Sequence, residues 1–299
     1  MMNVERLRVL HAVAVSGSIS EAAQALNVTA SAVSQQISKL ERELHQALVE
    51  KSGRGVRLTD AALLLVYRTV EVMATLERAE GELDENRNEV FGRIVVSAFA
   101  TALRGVCPTA ALRLRSSHPQ LDVRFREQEP REALPLLQRG EIDVVITQGW
   151  SNQPLALPEG TSKEFLFEDI VDVALPAKHR LSRRTSIELE DLADDDWIVW
   201  PEGAVCHEWL MFTLRTRGYE PRVVATAAEH ATQLAFVGAG LGVAVMPRLG
   251  SDTIPKSVRI AEVKPALHRN LYAVWRTNAA RRTSIRAVVQ SLREASASR

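Results

Sequence analysis

Between Ser18 and Leu44 the chain reads SISEAAQALNVTASAVSQQISKLEREL, and this pattern dictates two short helices joined by a tight turn. Ser18 stands as an N-cap with Glu21 three residues on, the spacing of a capping box that satisfies the free amides of a first turn. Ala22, Ala23 and Leu26 form an apolar face small enough for a second helix to cross closely, and Asn27-Val28 breaks the period. Thr29 caps the next helix, where Val33, Ile37, Leu40 and Leu44 recur at helical spacing and fix a buried face. The opposite face then carries Ser31, Gln35, Ser38 and Arg42, with Thr29, Ser34 and Lys39 at its margins. Hydroxyls, an amide and cations are the groups that read DNA: glutamine pairs with adenine, serine and threonine reach base edges or phosphates, and a helix N-terminus favours an anion. A hairpin with one merely solvated polar face is the plainer alternative.

The segment beyond the second helix weighs against that alternative. Glu50-Lys51-Ser52-Gly53-Arg54-Gly55-Val56-Arg57-Leu58-Thr59 places two glycines at a turn between β-compatible residues, with three cations, and predicts a β-wing that touches phosphates. Residues 3 to 62 thus resemble the winged helix-turn-helix of LysR-type transcriptional regulators. The resemblance rests on Leu7, Gly17-Ser18, Glu21-Ala22-Ala23, Leu26, Val28-Thr29, Ala32-Val33-Ser34, Gln36-Ile37, Leu40-Glu41, Leu44, Leu48 and Val56-Arg57-Leu58-Thr59. Where family members usually carry Gln, Pro and Arg, this chain has Ala30, Ser31 and Gln35, so an operator sequence does not transfer from relatives. The candidate DNA-binding residues are Thr29, Ala30, Ser31, Ser34, Gln35, Ser38, Lys39, Arg54 and Arg57, and the partner is double-stranded DNA.

A formal net charge of +0 is unusual for a chain that binds a polyanion. From Ala30 to Leu58, Lys39, Arg42, Lys51, Arg54 and Arg57 outweigh Glu41, Glu43 and Glu50 only slightly. One weakly basic module releases few counterions, so affinity is expected to need several copies acting together. No apolar run is long enough to span a bilayer and no signal-peptide pattern opens the chain, which predicts a cytoplasmic protein without membrane contact. Cys107 and Cys206, far apart, suggest neither a disulfide scaffold nor a metal site. Without a nucleophile elbow, a Walker loop or a metal constellation, no catalytic residue or cofactor is expected.

Beyond the wing, Thr59 caps a long helix from about Asp60 to Asn88. Leu63, Val66, Val70 and Met73 form one apolar stripe, and Leu65, Val72, Leu76, Ala79 and Leu83 another, with Gly81 marking a bend. Two stripes exceed one core's needs. A helix buried in a single large domain would explain them, as would pairing with a second subunit, and the family resemblance implies the latter: a homodimer through this linker helix, dimers that pair into tetramers, and RNA polymerase as a candidate partner.

From Gly92 onward strands alternate with helices. Gly92 to Ser97 reads as a strand, Thr101 to about Ser116 as a helix, Val123 to Glu127 as a strand, Pro130 to Arg139 as a helix and Ile142 to Thr147 as a strand, an α/β pattern around a largely parallel sheet. The runs 137 to 143, 175 to 181 and 237 to 247 resemble the family's effector-binding domain, extending the likeness over nearly the whole chain. The implied organisation is a winged helix-turn-helix at 1–60, a linker helix at 61–91, and at 92–299 a two-lobed domain resembling type 2 periplasmic binding proteins. Lobe I would hold 92–161 and 268–299, and lobe II 162–267.

A cleft between two such lobes gathers strand ends and helix N-termini, and so suits an anionic or polar small molecule. The candidate effector residues are Ala98, Phe99, Ala100 and Thr101 after the first strand, with Gln148, Trp200, His230 and Thr232; Thr101 aligns with the family's effector-contacting hydroxyl and is also a helix N-cap. Glu129-Pro130 replaces a hydroxyl that relatives often carry. A transport binding protein and a disulfide-switched sensor are the rival readings of this domain.

Overall fold

The computed structural model describes residues 2–26, 28–52, 55–87, 89–250 and 253–297. Packing divides the chain into residues 1–80 and 81–299.

The first unit opens with three helices, α1 (Val4–Ser16), α2 (Ile19–Ala25) and α3 (Ala30–Leu44). Each begins at a side chain that accepts a first-turn amide: Asn3 from Glu5 and Arg6, Ser18 from Glu21, Thr29 from Ala32. Of the capping box expected at Ser18, the hydroxyl arm is the one that forms. Gly17 takes φ +75°, a left-handed conformation that ends α1 and lets Ser18 start the next helix at once. Leu7, Leu10, Val13, Ala22, Ala23, Val33, Ile37 and Leu40 close a common core, each buried Leu or Ile contributing roughly 1.5–3 kcal/mol. Strands β1 (Val49–Ser52) and β2 (Gly55–Leu58) pair antiparallel to form the wing. Glu41 anchors it, one carboxylate oxygen accepting the amides of Leu48 at 2.8 Å and Val49 at 3.2 Å.

Thr59 then caps α4 (Asp60–Arg87), donating to Ala47 and accepting from Ala62. Ala62, Leu65 and Val66 pack inward, whereas Leu63, Leu64, Tyr67, Val70, Val72, Leu76 and Leu83 are exposed. The two expected stripes are thus redistributed, Val66 turning home while Leu63 and Val70 face out. Gly81 does not interrupt α4. It is buried, and a Cβ there would lie 3.0 Å from Cβ of Arg281, so the glycine serves close packing inside the second unit.

The second unit is built from β3 (Gly92–Ala98), α5 (Ala100–Gly105), α6 (Cys107–Ser117), β4 (Leu121–Glu127), α7 (Pro130–Gln138), β5 (Val144–Trp150), β6 (Thr161–Pro176), β7 (Ser186–Ile187), β8 (Asp196–Val199), α8 (Val205–Thr216), β9 (Arg222–Thr226), α9 (His230–Gly238), β10 (Ala244–Pro247), β11 (Val258–Val263), β12 (Leu267–Arg276) and α10 (Thr283–Ala297). One sheet runs β4-β3-β5-β12-β6-β11-β7, with β10 also on β6, while β8 and β9 pair separately. The expectation of a largely parallel sheet needs correction. β3 is parallel to β4 and β5, but β12 runs antiparallel to β5 and β6, as do β10 and β11 to β6. The cause is the path of the chain: it goes out along 16-residue β6 and returns along β12, so these two central strands oppose each other.

One core lies among β3, β5, α5, α6 and α10, and another among β8, β10, β11, α8 and neighbouring loops. Both draw on β6 and β12. The single helix expected from Thr101 to Ser116 is two, α5 and α6, broken at Val106, because Pro108 has no amide to donate and its ring opposes the carbonyl four residues back.

Candidate DNA-reading face and buried polar cluster

On α3, Val33, Ile37 and Leu40 turn inward, and the other side of the helix carries the sequence-predicted set. Thr29, Ala30, Ser31, Gln35, Ser38 and Lys39 are exposed and Ser34 is half-buried. Arg42 lies on the same side and its Nε donates to the Ser38 carbonyl at 3.3 Å. Gln36, one position from Gln35, is turned to the fold and accepts from Arg6, which also pairs with Glu43. On the wing, Arg57 is 2.9 Å from Glu50 and the carboxylate holds its guanidinium above the ordinary arginine range, so a phosphate contact by Arg57 competes with that pair. Arg54 lies outside the described residues. The surface is a row of short polar groups on one rigid helix beside a hairpin. It can place hydroxyls and an amide against base edges while the cations meet the backbone.

The second unit holds a buried polar cluster whose centre went unread in the sequence. Arg269 on β12 is 1 % exposed. Its Nε donates to Asp169 at 2.9 Å, its Nη1 to Oε1 of Gln148 at 2.7 Å and its Nη2 to Oγ1 of Thr101 at 3.0 Å. The strand pairing places Arg269 directly opposite Asp169 on β6, and the guanidinium carbon sits 5.3 Å from the Phe99 ring centre. Asp169 in turn accepts the Leu249 amide. Gln148 uses its other end to donate to Sγ of Cys206 at 3.0 Å. An ion pair this buried is held only because nearly every donor of the fork has an acceptor.

Phe99, Thr101 and Gln148, three of the predicted effector residues, therefore gather on Arg269. His230 faces it too, 4 % exposed and edge-on to Trp200 at 5.6 Å between ring centres. Burial, with Arg269 and Arg104 nearby, pushes the imidazole down to about 3. Neither ring nitrogen of His230 has a hydrogen-bond partner among the described residues. Ala98 lies in the core with its carbonyl taken by the Gln128 amide, Ala100 is half-buried, and Thr232 is exposed. Thr101 is not the cap of its helix: Phe99 occupies that position, and the threonine hydroxyl is spent on Arg269. Glu129, at the start of α7, is raised by burial and by Glu132 and Glu127, against the pull of Arg269. Burial lifts Cys107 to about 12 and Cys206 to about 11, so both are protonated thiols at neutral pH, and both are free. Among the described residues no His, Cys, Asp and Glu group could hold a metal ion.

Two family models match, the bacterial regulatory helix-turn-helix protein of the lysR family over residues 4–63 and the LysR substrate binding domain over 87–297. The chain belongs to the LysR family of transcriptional regulators. It is a DNA-binding regulator with a LysR effector-binding domain. Among curated LysR-family relatives, the HTH-type transcriptional regulator XapR of Escherichia coli (strain K12) is 27% identical over 275 residues, 92% of each chain. The transcriptional dual regulator GltC of Bacillus subtilis (strain 168) is 27% identical over 273 residues, covering 90% of this chain and 89% of GltC. Among solved structures, full-length OxyR of Pseudomonas aeruginosa, in a cysteine-to-aspartate variant, superposes with a TM-score of 0.69 at 23% identity over 98% of both chains. HinK, a LysR family regulator of the same species, gives 0.62 at 20% identity over 98% of both. At these identities the structures speak for the fold. LysR regulators bind DNA and small-molecule effectors and oligomerise, and in this chain no helix of the described residues is long and apolar enough to cross a membrane.

Proposed function

We propose that this regulator reads its operator through Thr29, Ala30, Ser31, Ser34, Gln35, Ser38 and Lys39 of the α3 face, with Arg57 on phosphate, as a homodimer joined through α4. The observation that carries the reading is the exposed apolar stripe of Leu63, Tyr67 and Val70 on a helix whose other side is already packed. Tyr67 is 62% and Val70 51% exposed, more apolar surface than a solitary helix leaves in water. A dimer supplies two recognition helices for two half-sites, which offsets the weak basicity of each. Pairing of dimers into a tetramer, contact with RNA polymerase, a cytoplasmic location and the absence of catalysis complete the reading by family analogy.

In the same reading, the cluster around Arg269 is the effector site. Thr101, Gln148, Phe99, Trp200 and His230 come from different elements and converge there, and β6 and β12 beneath them are the strands a hinge would bend. A ligand with different affinity for two arrangements of those strands shifts the regulator between them. The test is selection of bound fragments from sheared genomic DNA by the full-length protein. Recovery of a shared motif with two related halves supports the reading; recovery of unrelated fragments by wild type and Gln35→Ala alike contradicts it.

A further inference from the structure

Just after β10 the chain crosses from one core of the second unit to the other. Val245 and Met246 are buried on the side of β8, β11, α8 and α9, yet three residues beyond Met246, Leu249 is 1% exposed in the core of β3, α5, α6 and α10. Arg248 fixes the base of the crossing: its amide donates to the Ile170 carbonyl at 2.9 Å and its guanidinium pairs with Asp172 and Glu262. Gly250 then lies so close to α5 that a Cβ on it would stand 2.5 Å from the Thr101 carbonyl oxygen. Nε of Arg104, also on α5, donates to the Gly250 carbonyl at 3.3 Å.

The same three residues are tied to the Arg269 cluster. Asp169 divides its carboxylate between them, Oδ1 accepting the Leu249 amide and Oδ2 accepting Nε of Arg269, each at 2.9 Å. Arg269 donates on to the Thr101 hydroxyl, and the carbonyl of that threonine is the one Gly250 covers. With the segment seated, Thr101, Gln148 and His230 are all buried, and neither His230 ring nitrogen has a partner among the described residues. A buried polar group without a partner is costly, so closure carries a penalty that opening to water relieves.

We propose that residues 248–250 are a strap that closes the second unit over the Arg269 cluster, and that a small molecule reaches the cluster only when Leu249 leaves the core beside α5. The purpose of the strap rests on the reading of that cluster as the effector site; the closure itself does not. Because one carboxylate holds both Leu249 and Arg269, a ligand that draws Arg269 away from Asp169 disturbs the strap in the same step. Packed cores have discrete arrangements, and a strap seated or withdrawn supplies two of them.

Cys206 accepts from Gln148 inside the cluster and reports the opening. The experiment follows its reaction with the aromatic disulfide dithionitrobenzoate in the full-length protein carrying Cys107→Ala, beside urea unfolding of the same samples. Leu249→Ala removes the side chain that seats the strap and should speed labelling roughly tenfold or more, with a urea slope well below that of unfolding, as a local opening requires. Leu292→Ala cuts the same side chain from α10 in the same core, and should lower the unfolding midpoint while leaving labelling at low urea nearly unchanged. If Leu249→Ala loses its cooperative unfolding, Gly250→Ala, which sets a methyl against the Thr101 carbonyl, carries the test with the same expectation. Labelling that rises alike in Leu249→Ala and Leu292→Ala, that follows the urea slope of unfolding, or that stays at the unsubstituted rate in both strap variants overturns the strap. None of these results bears on whether the cluster binds an effector, so the two readings fail separately.

Discussion

Arg269 shows what a single buried charge demands. With Asp169 opposite, it is one of the few ion pairs here removed from water on both sides, the side chains being 1% and 5% exposed. Removing one partner leaves an unmet charge, so Asp169→Ala is expected to cost about 3–5 kcal/mol in urea unfolding, whereas breaking an exposed pair such as Arg57 with Glu50 should change stability little. His230 supplies a second prediction. Its folded pKa, about 3, lies below the unfolded value of about 6.5. Its contribution to stability is therefore present above pH 6.5 and is lost as pH falls from there toward 3. By pH 5 the loss is about 2 kcal/mol, and His230→Gln should flatten that part of the pH profile in chemical denaturation. Of these residues the sequence exposes His230, Thr101 and Gln148 by position after a strand or at a helix start. It hides Arg269, which stands between His268 and Asn270 early in β12, at neither a strand end nor a helix start. The available signal was an acid and a base, Asp169 and Arg269, in segments that become central strands, where each needs a partner once buried.

Elements were legible where one local rule dominates. The caps at Ser18, Thr29 and Thr59 and the apolar face of α3 fall where hydroxyls and periodicity place them. The misreadings come from tertiary context. Pro108 splits α5 from α6, Gly81 is explained by Arg281 from the far end of the chain, and the antiparallel centre of the sheet reflects a connection that no local window contains. Two predictions belong at this scale. Val70→Glu, at an exposed stripe position, should leave the melting temperature nearly unchanged while shifting sedimentation to a monomer and weakening operator binding; a dimer that persists contradicts pairing through α4. Gln35→Ala on α3 should cost about 1–3 kcal/mol of discrimination between operator and mismatched duplex, whereas Lys39→Ala should weaken both duplexes alike and lower the salt slope by about one.

As a whole molecule the chain combines a DNA-reading unit with a second unit whose two cores share β6 and β12. With a neutral overall charge and only a slight excess of cations between Ala30 and Leu58, affinity is expected to come from several copies of the DNA-reading unit acting together. The same geometry argues against a disulfide switch: Cys107 and Cys206 belong to different cores, and burial holds both thiols protonated. The central claim, sequence-specific DNA binding by a multimer, is tested most directly by fluorescence anisotropy of the full-length protein on the duplex upstream of its own coding sequence and on a shuffled duplex, across a salt series. Tighter binding to the upstream duplex, with log affinity falling steeply against log salt, is the predicted result; equal binding to both duplexes with a slope near zero would contradict it.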